Sequence, residues 1–95
     1  MRARTDSNAA QLDAAFLAHG WLVAKLDGVG RGFPDRLVWR ADHGLVLVEY
    51  KAGRGKLRQS QATFQSAGWP VAVLRTVDDV AAVSRRSRRR RSETL

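Results

Sequence analysis

Apolar positions along the chain change period repeatedly, between helical spacing and the alternation of strands. Leu12, Ala15, Phe16 and His19 fall on one helical face. Ser7 or Asp6 can cap that helix, and Gly20 stops it after about His19. Three short runs follow that read as strands, over residues 21–26, 35–40 and 45–51. The last two are rich in branched residues and flank ADHG, a turn by composition, so they should pair as an antiparallel hairpin. Pro34 has no N–H and suits the start of the second strand. The glycine-rich stretch DGVGRGF precedes it, with room for a backbone or ligand to come close. Beyond the hairpin lies a basic loop, GRGK, and then a helix over residues 59–67 that Gly68 ends. Residues 71–75 predict a fourth strand. Residues 78–83 predict a short last helix, begun by the Thr76 hydroxyl or the Asp78 carboxylate. The order is αβββαβ, an α/β domain without internal repeats.

A chain of 95 residues has room for one core, and 44% hydrophobic against 27% charged residues fits a globular body. The 17 Lys and Arg against 9 Asp and Glu leave +8, which favours polyanionic partners such as nucleic acid or an anionic membrane. That charge is uneven. From Ser84 onward six arginines face one glutamate, +5, so the preceding body carries only +3. The terminal stretch SRRSRRRRSETL has no apolar periodicity and is expected to be disordered when free. The expected division is a folded domain over residues 1–83 and an Arg-rich tail over 84–95. There is no cysteine, which excludes disulfides and thiolate metal sites and suits a reducing cytoplasm. No apolar run approaches the roughly 18 residues that span a bilayer, and no secretion signal follows the polar residues 1–7. We expect a cytoplasmic protein without a membrane partner.

Side chains alternate across a strand, so Glu49 and Lys51 project from one face behind Leu45 and Leu47. On the neighbouring strand Asp35 shares a face with Leu37 and Trp39, and the hairpin can bring Asp35 close to Glu49. Two adjacent carboxylates repel unless a cation lies between them. Mg²⁺ (or Mn²⁺) takes oxygen ligands, commonly one or two carboxylates with water and phosphate completing the set. Asp35, Glu49 and the Tyr50 backbone carbonyl could supply that set. Lys51 would orient an attacking water or neutralise charge on the phosphate. Arg31 and Arg36 by the glycine loop, with Arg54, Lys56 and Arg58 after the hairpin, are candidate phosphate contacts that would bind by charge rather than by sequence. An exposed Glu49–Lys51 pair contributing about 0–1 kcal/mol is the plainer alternative, but it explains neither Asp35 nor the glycine loop. That loop leads into a strand and lacks a GK[ST] ending, so it is no nucleotide-binding fingerprint. His19 and His43 have no metal-site spacing. Trp21, Trp39 and Trp69 could stack on bases, yet at least two are expected in the core or at a dimer contact.

Pro34-Asp35 and Glu49-Tyr50-Lys51, separated by a hairpin and followed by a helix and strand, resemble the PD-(D/E)xK nuclease core. More narrowly, Gly32-Phe33-Pro34-Asp35-Arg36, Glu49-Tyr50-Lys51, Gly55-Lys56-Leu57, Gln61 and Gly68 resemble the stand-alone VRR-NUC domains, over about residues 7–83. The resemblance implies a restriction-endonuclease-like fold with a mixed four-stranded sheet flanked by helices. It also implies a Mg²⁺- or Mn²⁺-dependent endonuclease acting on DNA, with a preference for branched forms such as Holliday junctions or flaps. Carried over, Asp35 and Glu49 are metal ligands, Lys51 assists the water, and Gln61 lies near the site. Such nucleases often add a first-helix Glu; here that helix offers only Gln11 and Asp13, with Ala9 near the aligned position. Either Gln11 substitutes or water fills the place. A homodimer is expected, since two sites would serve two opposed strands. The competing expectation is a non-catalytic, basic nucleic-acid-binding module on the same fold.

Overall fold

A computed structural model describes residues 8–86. The elements are α1 (Ala9–Ala18), β1 (Leu22–Lys25), β2 (Arg36–Arg40), β3 (Gly44–Tyr50), α2 (Gln59–Ser66), β4 (Val71–Leu74) and α3 (Val77–Arg85). They form a small α/β unit whose mixed four-stranded sheet runs β1-β2-β3-β4. The first three strands are antiparallel neighbours, and β4 joins β3 in parallel after the α2 crossover. Arg36 pairs with Val48 and Leu37 with Leu47, the register that a hairpin around residues 41–43 requires.

The period of two divides the sheet into two unlike faces. Arg36, Val38, Val48 and Tyr50 point to one side and are buried there against α1 and α3, with Leu12, Phe16, Trp21, Leu74, Val80 and Val83. Phe16 is the hub, meeting Trp21 edge to face at 5.5 Å and stacking on Tyr50 at 6.5 Å. Burying such side chains contributes about 1.5–3 kcal/mol each. The opposite face carries Asp35, Leu37, Trp39, Leu45, Leu47 and Glu49. Here Leu22, Trp39 and Leu45, directly opposed across three strands, all stand exposed.

Several boundaries differ from the sequence expectation. Asn8 takes the cap position of α1, without a side-chain cap bond, and Ser7 and Asp6 lie outside the described residues. Thr76 caps α3: its hydroxyl accepts from the Asp79 N–H at 3.2 Å, and the Asp79 carboxylate accepts from the Thr76 N–H at 3.1 Å. The helix continues past residue 83 to Arg85, so the expected start of the tail at Ser84 is corrected. Ser84 is buried because its hydroxyl accepts from the Trp21 indole at 2.9 Å and donates to the Val80 carbonyl. Arg86 follows as the exposed C-cap of α3, and residues 87–95 of the Arg-rich stretch lie outside the described residues. Of the three tryptophans Trp21 is in the core, whereas Trp39 and Trp69 are exposed; of the two or more expected in the core or at a dimer contact, one is in the core. Among the described residues no helix is long and apolar enough to cross a membrane.

Candidate active site

The β2–β3 register, carried one step past the Arg36–Val48 pair, sets Asp35 opposite Glu49. The chain holds it there: Asp35 Oδ2 accepts the Tyr50 N–H at 2.8 Å. A strand residue sends its N–H and C=O toward the same edge, so the Tyr50 carbonyl leaves on Asp35's side. Glu49 is only 2% exposed. Its Oε2 accepts from Gln61 Nε2 at 2.5 Å and lies 3.8 Å from the Lys51 ammonium. Gln61 is itself oriented, because its Oε1 accepts from the Arg58 N–H at 2.9 Å at the start of α2. A buried carboxylate is tolerated only when such partners compensate its lost hydration. Asp35, Glu49, Lys51 and Gln61 are therefore brought together at one end of the open sheet face.

The glycine loop serves this assembly by allowing α2 to approach. Gly32 (φ +81) packs on the α2 backbone so closely that an added Cβ would fall within the Ser60 carbonyl group. Arg31, just before it, also takes a left-handed conformation (φ +59) and leaves its side chain exposed. Gly32→Ala is expected to lower stability by about 1–3 kcal/mol and to displace Gln61 from Glu49. A melting temperature unchanged from wild type would contradict this contact.

Arg54, Lys56 and Arg58 are exposed. Their loop is pinned from β4's end, where Arg75 Nη1 donates to the carbonyls of Gly53 and Gly55 at 2.8 and 2.9 Å. Arg36 is different. It is 3% exposed, on the core face, and donates from Nε and Nη2 to both Asp13 oxygens at 2.8 and 3.0 Å. It also meets Asp27 at 3.3 Å and lies over the Tyr50 ring at 5.2 Å. The expected phosphate contact at Arg36 is thereby corrected, since its fork is occupied inside the fold. What reaches the site is indirect: Arg36 Nη1 donates to the Asp35 carbonyl at 2.9 Å.

Asp13 also accepts from the Tyr50 hydroxyl at 2.7 Å. Burial alone would raise its pKa, but the bonds from Arg36 and Tyr50 hold it below the ordinary carboxylate value. The same pairing lifts Arg36, against the downward pull of burial. Burial first, then Asp13, pushes the Tyr50 hydroxyl well above its usual value. Sequence reasoning passed over this cluster, although Asp13 falls at helical spacing with Ala9 and Phe16. A carboxylate inside an apolar stripe was the available signal. It also passed over Asn8, whose amide donates to the Lys51 and Arg75 carbonyls at 3.2 and 2.9 Å. The first helix thus brings an amide, not a carboxylate, to the ends of β3 and β4. Gln11 is exposed.

No protein-family model matches the chain, and comparison with curated proteins finds no match either.

Proposed function

We propose that this chain is a metal-dependent endonuclease of the PD-(D/E)xK plan, close to the VRR-NUC type, that hydrolyses phosphodiester bonds in DNA. The observation that carries the reading is the convergence of Asp35 and Glu49 from adjacent strands beside Lys51, with Gln61 fixing Glu49 from the next helix. Among the described residues no group of three or more His, Cys, Asp or Glu side chains is arranged to hold a metal ion. Two carboxylates and the Tyr50 carbonyl nonetheless make an all-oxygen set that suits Mg²⁺ or Mn²⁺, which keep several waters and add substrate phosphate. Asp35, Glu49 and that carbonyl would hold the ion, which would supply a water of lowered pKa and positive charge for the phosphate. Lys51 orients the water or offsets charge building on the phosphate oxygens. Gln61 keeps Glu49 in place. Arg31, Arg54, Lys56 and Arg58 hold the DNA backbone without reading its sequence, which suits a substrate chosen by shape, such as a flap or Holliday junction. The lack of cysteine favours a cytoplasmic setting.

Two opposed strands call for two sites, and the uncharged row Leu22, Trp39 and Leu45 is the surface on which a second copy would sit. Leu22 and Leu45 are 66% and 60% exposed there, and such patches are uncommon on monomers unless they bind something. Leu45→Asp is expected to leave the fold intact and shift the protein from dimer to monomer in sedimentation at micromolar concentration. A wild-type monomer there would remove the dimer.

The activity is tested on labelled duplex, flap and four-way-junction DNA with Mg²⁺, Mn²⁺ or EDTA. Metal-dependent cutting, fastest on the branched forms, is expected; no cutting in any lane would end the nuclease reading. A second reading, a basic nucleic-acid-binding module without catalysis, is favoured by the first helix, where Ala9 stands near the position at which the family resemblance would place an acid and the adjoining Asn8 turns its amide to the Lys51 and Arg75 carbonyls. It predicts salt-sensitive binding that survives Asp35→Ala.

A further inference from the structure

Beside the four site residues stands a group of rings that the chemistry proposed above does not use. Phe64 lies one helical turn beyond Gln61, on a neighbouring part of the α2 surface. Phe33 is two residues before Asp35. Their rings meet at 5.0 Å, tilted by 50°. Trp69 completes the group, stacked on Phe64 at 5.6 Å and nearly parallel at 19°. The middle ring is half-buried and the outer ones are not: Phe33 is 41% and Trp69 56% exposed. Gln61 is the only buried residue of α2, so part of this stack serves to dock the helix. Docking leaves the open indole of Trp69 unexplained.

We infer that this stack is a platform for an unpaired nucleobase next to the scissile phosphate, so that the substrate carries a single-stranded nucleotide at that place. The inference rests on the nuclease reading for its position beside the reaction, while the platform itself does not. Aromatic faces accept any base, because every base has a π-face, and stacking of this kind is largely indifferent to sequence. The surroundings match a nucleic acid rather than a protein core. Arg31, two residues before Phe33, and Arg58, at the start of α2, are both exposed cations, the complement of a phosphodiester chain. The β3–β4 register that pairs Leu47 with Val71, carried back two residues, brings Trp69 towards Leu45 of the row suited to a second copy, so the sedimentation arm of the test below separates the two uses.

A fully paired duplex keeps its bases stacked inside and offers nothing to Trp69. A flap, or a gap beside a branch, offers a free base at once, since no pair has to be broken. The platform thereby gives a physical reason for a preference that charge alone cannot supply.

The test compares oligothymidylate with an abasic oligomer of equal length, both labelled, by anisotropy in EDTA so that nothing is cut. The wild type should bind the thymidylate about 5- to 100-fold more tightly. Trp69→Leu, which keeps an apolar cover on Phe64, should lose that difference and leave abasic binding unchanged; Trp69→Tyr should keep most of it. In parallel, with Mn²⁺, Trp69→Leu should slow flap cleavage and spare fully paired duplex. Equal affinity of the wild type for the two oligomers, or an undiminished preference in Trp69→Leu, would overturn the platform and leave the nuclease reading standing. A Trp69-dependent preference without cutting of any DNA would instead remove the nuclease and keep the platform as a binding site. A change of sedimentation in Trp69→Leu without change in thymidylate affinity would assign the rings to contact between copies, and would also overturn the inference.

Discussion

Replacing Lys51 with alanine is expected to cut metal-dependent DNA cleavage by about 100- to 1000-fold, the usual effect of removing one group that stabilises charge in the transition state. Melting should fall as well, because Glu49 keeps Gln61 but loses the cation beside it, so rates are compared well below the variant's melting temperature. The ammonium lies 3.8 Å from Glu49 Oε2 on a largely buried side chain, so the variant loses a fixed positive charge where phosphate charge would build. Two charge-only variants sharpen the test. Asp35→Asn can still accept the Tyr50 N–H, and Glu49→Gln can still accept from Gln61, so both should fold while losing a metal ligand's charge. Cleavage rates with Mn²⁺, set beside melting curves, separate chemistry from stability. Wild-type rates in Lys51→Ala would sink the assignment of this site.

The second large effect is on stability and belongs to the opposite face. Asp13→Ala is expected to cost about 3 kcal/mol, because it leaves the Arg36 guanidinium buried without its partner. For a domain of this size that is roughly 10–20 °C in melting temperature. The double variant Asp13→Leu with Arg36→Met should recover most of the loss, since an apolar pair of similar volume carries no desolvation cost. A double variant as unstable as the single one would show that the ion pair is not the cause. The pH dependence follows from the shifts. Asp13 titrates lower when folded than when unfolded, where it sits at about 3.9. Its contribution is therefore complete above about pH 4 and is lost as the pH falls through the folded value. Tyr50 is shifted upward, so its contribution is complete below an unfolded value of about 10 and is lost as the pH rises beyond it. Melting temperature measured against pH should decline on both of these limbs.

The strands, their order and the meeting of Asp35 with Glu49 were legible because alternation and hairpin spacing are local properties of the chain. Alternation does not say which face a helix will cover. Both faces of β2 and β3 are apolar, so the exposure of Trp39 and Leu45 depended on where α1 and α3 came to rest. The misplacement of Arg36 has another origin. Once Asp35 was assigned to the site, the next residue had to point the other way, and that step was available from the sequence. Ser84 was hidden for a different reason: its burial depends on an indole 63 residues away, and no local pattern carries such a contact. The long-range hold of Asn8 on the ends of β3 and β4 was hidden in the same way.

Asp35 and Arg36 are neighbours in the chain yet serve opposite sides of the sheet, one the candidate chemistry and the other the interior. The hairpin is therefore read in a frame of two. A single residue inserted or deleted between Pro34 and Arg36 would shift that frame, presenting a guanidinium where a carboxylate is needed and forcing a carboxylate toward Phe16 and Val38. A substitution in this segment removes what one side chain does, whereas a change of length turns neighbouring side chains to the wrong faces together, and for that reason its spacing constrains the protein more tightly than its composition does.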